Sequence, residues 1–82
     1  MTNNQTIKEL TLILLHLTSW TEKEPLDHQR SWKGYDFDIL NELADEGLIS
    51  DSKRAKSVVI YEDGVLKAQE LLKEYGFYSQ VN

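Results

Sequence analysis

The 82-residue sequence predicts a small α+β domain, mainly helical, in the order helix, connector, helix, two-stranded hairpin, helix. Three observations carry that prediction. Apolar residues recur at helical spacing in three stretches, near residues 6–20, 35–46 and 62–75. The run "SVVIY", Ser57 to Tyr61, is β-branched and aromatic, and a short "LIS", Leu48 to Ser50, precedes it at hairpin distance. Gly47 and Gly76 sit just beyond two of the helical stretches, where a chain leaving a helix needs a left-handed stop. This length supports one modest core, so residues 1–82 form a single domain, with 1–5 and 77–82 as frayed ends.

The first helix is expected from about Thr6 to Trp20. Ile7, Leu10, Ile13, Leu14, Leu17 and Trp20 fall within one sector and make the expected core stripe. Leu12 and Leu15 lie about 60° apart on another face, too close together to be stray surface leucines. Either the 21–34 connector folds back over them with Trp32 or Leu26, or a two-fold partner offers the same patch, which is slightly favoured. Residues 21–34 form the connector, in which Pro25 holds Glu24 extended. The second helix runs from Tyr35 to Glu46 with Asp36 at its start, as N-cap or first-turn acid. Phe37, Ile39, Leu40, Leu43 and Ala44 share its inner face. Leu48 to Ser50 then pairs with Ser57 to Tyr61 around the loop "DSKRAK". The third helix runs to Tyr75 on a stripe of Val65, Ala68, Leu71, Leu72 and Tyr75. Leu40, Leu43, Val58, Ile60, Ala68 and Leu72 are the expected common core.

Fourteen acids against nine bases leave a net charge of −5, which disfavours nonspecific attraction to nucleic acid or anionic lipid. The chain has no cysteine, so it has no disulfide framework and no thiolate chemistry, as suits a reducing cytoplasm. "LTLILLHL", Leu10 to Leu17, is too short to span a bilayer and lacks the flanks of a signal peptide. His16 and His28 show no ligand spacing, even with Asp27 and Glu24 near the second. No nucleophile motif or phosphate-cradling glycine loop occurs. The expectation is therefore no enzyme, no catalytic or metal site, no cofactor and no small-molecule substrate.

The segment "LNELADEGLISD…KSVVIYEDGVLKAQELL" resembles the winged-helix domains of many regulators, with a helix ending in Gly-Leu-Ile, a variable hairpin and a closing helix. "WKGYDFDILNELADEGLIS", followed by "KSVV", more closely resembles a family of small bacterial proteins of unknown function. The similarity runs from about Leu12 to Leu72. It implies a winged-helix-like fold and no particular activity. Two departures stand out. Residues 21–34 leave little room for the helix that winged helices place before the recognition helix. Tyr61 also stands where an N-capping Thr is common, and its hydroxyl is too distant to cap.

A DNA-binding winged helix would put residues 35–46 into the major groove, yet these carry five acids and no base. Asp38, Glu42, Asp45 and Glu46 would face phosphate. Lys53, Arg54 and Lys56 in the hairpin loop are the candidate nucleic-acid contacts, and solvated loop bases are the plainer reading. The favoured reading is a cytoplasmic protein-association module, with a homodimer or an unknown protein as partner. The favoured reading of the aromatic residues around the connector is that Trp and Phe side chains plug the gap left by the missing helix. The alternative is that some are exposed and, with the two leftover leucines, form the candidate surface Leu12, Leu15, Trp20, Trp32 and Tyr35.

Overall fold

The computed structural model describes residues 4–22, 28–52 and 54–76. Among the described residues three helices, α1 (Asn4–Leu17), α2 (Phe37–Asp45) and α3 (Glu62–Tyr75), pack on a sheet of four strands. The strands are β1 (Trp20–Glu22), β2 (His28–Trp32), β3 (Ile49–Ser50) and β4 (Ser57–Ile60). All pairings are antiparallel and the spatial order is β1-β2-β4-β3. The result is an α+β fold with a winged-helix-like arrangement.

The connector is the main departure from expectation. Within residues 21–34 the chain forms β2 and most of β1, a second hairpin whose inner strand pairs with β4 through Gln29 and Ile60, Ser31 and Val58. The expected two-stranded hairpin is thus half of a four-stranded sheet. Sheet pairing engages the backbone of Thr21, Glu22 and His28–Trp32 in place of the missing helix. The expected plug of Trp and Phe side chains is not found: Trp32 and Phe37 are 63% and 70% exposed. Phe37 lies off the α2 stripe of Ile39, Leu40 and Leu43, the residues that α2 buries. At the N-terminus α1 already includes Asn4 and Gln5, which were expected to fray. Residues 1–3 and 77–82, the remainder of the expected frayed ends, lie outside the described residues.

The remaining boundaries follow local chemistry. Asp36 caps α2 by accepting from the amides of Asp38 at 2.8 Å and Ile39 at 3.3 Å. Gly47 has φ of 78°, and its amide and that of Leu48 donate to the carbonyls of Ala44 and Leu43. These are the two bonds of a Schellman stop. Tyr61 precedes α3 without a side-chain cap. Gly76 ends α3 at φ of 77°.

Strand alternation divides the sheet into two faces. Ser31, Ile49, Val58 and Ile60 are buried on the inner face, together with Leu12, Leu15, Leu40, Leu43, Ala68 and Leu71 from the helices. Five of the six expected core residues are among these. Leu72 is half-buried and packs at the margin.

Candidate association surface

Helix α1 is apolar on two sides, and the core takes the side that periodicity alone would leave out. Leu12 and Leu15 are 1% and 0% exposed. They were expected as an outward patch, and they are core residues unavailable to any partner of the folded chain. The expected core stripe instead faces outward over most of its length, with Ile7, Leu14 and Leu17 at 48%, 44% and 59% exposure and Leu10 half-buried. Ile13 alone of that helical stripe is buried.

Polar contacts set this rotation. Lys8 pairs with Glu46 and lies 3.6 Å from Glu42, both on the side of α2. The hydrogen bond to Glu46 holds the Lys8 ammonium above its ordinary pKa. Glu9 accepts from Gln5 at 2.8 Å and from the Tyr75 hydroxyl of α3 at 2.8 Å. These bonds, the one from Gln5 first, hold its carboxyl below the usual range. Thr18 and Ser31 share a 3.0 Å hydroxyl hydrogen bond that ties the end of α1 to β2. The contacts that reach α2, α3 and β2 fit the rotation that buries Leu12 and Leu15, leaves Ile7, Leu14 and Leu17 exposed and keeps Leu10 half-buried against the core.

The aromatic part of the expected surface divides. Trp20 and Trp32 meet with ring centroids 5.0 Å apart at 46°. They share the outer face of the sheet with Arg30, whose Nε donates to Ser57 Oγ at 3.0 Å and which lies 3.6 Å from Glu22. Tyr35 is half-buried and packs against the core. The five candidate residues therefore separate into two core leucines, an outward tryptophan pair and one core-side tyrosine.

The hairpin tip leaves Arg54 and Lys56 exposed. Lys53 lies outside the described residues. On α2 and its C-terminal cap, Asp38, Asn41, Glu42, Asp45 and Glu46 are all exposed. A helix presented to DNA on that side would bring four carboxylates to the phosphates. A residue passed over in the sequence has a clear structural task. Lys33 Nζ reaches Asp51 at 2.7 Å and the Ser52 carbonyl at 2.6 Å, tying the end of β2 to the hairpin loop.

His16 is partly buried, its Nδ1 has no hydrogen-bond partner, and burial holds its pKa below the ordinary value. Among the described residues no three His, Cys, Asp or Glu side chains group closely enough to hold a metal. The His28 partners considered from sequence, Glu24 and Asp27, lie outside the described residues. No described helix is long and apolar enough to cross a membrane.

Residues 3–77 match the model of a family described as a domain of unknown function (DUF6429), a span that takes in all seven elements. The chain is also similar to the uncharacterized protein y4hR of Sinorhizobium fredii (strain NBRC 101917 / NGR234). The two are 32% identical over 68 residues, covering 82% of this chain and 84% of the relative. No solved structure matches. The chain belongs to the DUF6429 family of domains of unknown function.

Proposed function

We propose that this protein is a non-enzymatic association module of the bacterial cytoplasm that binds another protein chain through the outer stripe of α1. One observation carries the reading: the helix leaves an apolar stripe facing water, with Ile7, Leu14 and Leu17 each close to half exposed. Single exposed leucines are ordinary, but a contiguous stripe along one helix is the usual mark of an interaction surface. The acid-rich outward side of α2 argues against the alternative, a DNA-binding regulator using Arg54 and Lys56.

The test compares tagged wild type with a Leu14→Lys, Leu17→Lys variant in extracts of the source bacterium. Both positions are exposed, so the variant should melt close to wild type. A specific chain, whether another protein or an untagged copy, should be recovered with wild type and lost with the variant. Equal recovery by both refutes the α1 surface. Submicromolar, steeply salt-dependent binding to random duplex DNA, abolished by Arg54→Ser and Lys56→Ser, would replace this reading with the DNA one.

A further inference from the structure

We infer that the occupant of the α1 stripe is a second copy of this chain, its α1 lying antiparallel across the first; the inference rests on the association reading above. The stripe has the geometry of a helix-pairing seam. The exposed Ile7, Leu14 and Leu17, with the half-buried Leu10 as the floor between them, are spaced 3-4-3, the spacing of a two-helix seam. They span a sector of about 80°. The spacing is the same in both directions, so in an antiparallel pair Ile7 faces Leu17 of the other copy and Leu10 faces its Leu14. A two-fold axis between them uses one patch twice.

Charge selects both the occupant and its direction. A second copy of this chain, whose net charge is −5, meets no like charge on the seam itself, since none of its four residues is charged. The two charged residues of α1, Lys8 and Glu9, are held instead against Glu42, Glu46 and Tyr75. The ends of the seam differ. Beside Ile7, a recess is lined by Asn4, Asp36, Asp38, Ile39 and Glu42. Around Leu17, residues 15–21 contain no acid. A parallel pair would set one acidic rim against the other, whereas an antiparallel pair sets each rim against the acid-free end of its partner. The opposed helix dipoles favour the same direction. Four side chains fall well short of the roughly 800 Å² per partner of a standard interface, so the dimer should be weak and dependent on concentration.

Because the chain has no cysteine, single introduced thiols report the geometry cleanly. Sedimentation velocity on wild type should show dimer growing with concentration, and Leu14→Lys should remain monomeric with an unchanged circular dichroism spectrum. Under mild oxidation, Ile7→Cys mixed with Leu17→Cys should give a disulfide-linked dimer, while each variant alone should give little. A wild type still monomeric at about 1 mM, where even a very weak complex populates, overturns the inference. So does a Leu14→Lys protein that dimerises as wild type does, or crosslinking of each variant with itself. A monomeric wild type that still captures another protein through Leu14 and Leu17 defeats self-pairing alone. Loss of both results defeats the association reading as well.

Discussion

Gly64 gives a sharp test of how α3 is seated. It is the third residue of α3 and lies against the backbone of Leu48, in the link between α2 and β3. A Cβ built on it would sit 2.2 Å from the Leu48 carbonyl oxygen, 3.1 Å from the Leu48 carbonyl carbon and 3.0 Å from Ile60 Cγ2. An ordinary carbon-to-oxygen contact is about 3.3–3.6 Å, so Gly64→Ala must force the backbones apart by about 1 Å. The Leu48 carbonyl cannot swing aside freely, because it accepts the Tyr61 amide at 3.0 Å. Helix propensity alone favours Ala by up to about 1 kcal/mol. Overpacking costs about 1–3 kcal/mol or more, and a weakened Tyr61–Leu48 bond adds about 1 kcal/mol. The clash wins, with a net loss of about 2 kcal/mol. In a domain of this size that lowers Tm by roughly 8–16 °C. Urea and thermal melts of Gly64→Ala should be compared with Gly34→Ala, where nothing lies within 4 Å of the added carbon. If Gly64→Ala is as stable as wild type, α3 does not cross Leu48 as described.

The rotation of α1 predicts that Leu15→Ala costs about 2–5 kcal/mol, as for a fully buried leucine, while Leu14→Ala costs well under half as much. Equal losses in urea unfolding would mean the helix is turned otherwise. Lys33→Ala should remove about 1–3 kcal/mol, since it leaves Asp51, whose side chain is only 12% exposed, without its partner. A midpoint unmoved by this change would show that the bridge does not anchor the hairpin. Burial of His16 favours its neutral form, so its folded pKa lies below the unfolded one. Its share of stability is complete above the ordinary histidine range of about 6.5 and is lost as pH falls through the folded value, because the unfolded chain takes the proton first. His16→Gln should flatten the loss of stability as pH falls below about 6.5, and an unchanged slope in pH-dependent melts would remove His16 as its source.

Local chemistry determined most element boundaries from the sequence alone. Asp36 caps α2 and Gly47 stops it because capping and left-handed φ depend on a few neighbouring atoms. The β-branched run from Ser57 and the stripe of α3 were legible for the same reason. The strands of the connector were not, because "HQRSW" has no strong preference of its own and becomes a strand by pairing with β4. The rotation of α1 was hidden by its composition. A helix apolar on both sides gives hydrophobicity no direction, so the choice passes to long-range polar contacts at Lys8, Glu9 and Thr18. The family resemblance and the run of acids on α2 could be read from residue types. Which apolar residues remain outside could not, since tertiary packing buries Leu12 and Leu15 and leaves Ile7, Leu14 and Leu17 exposed.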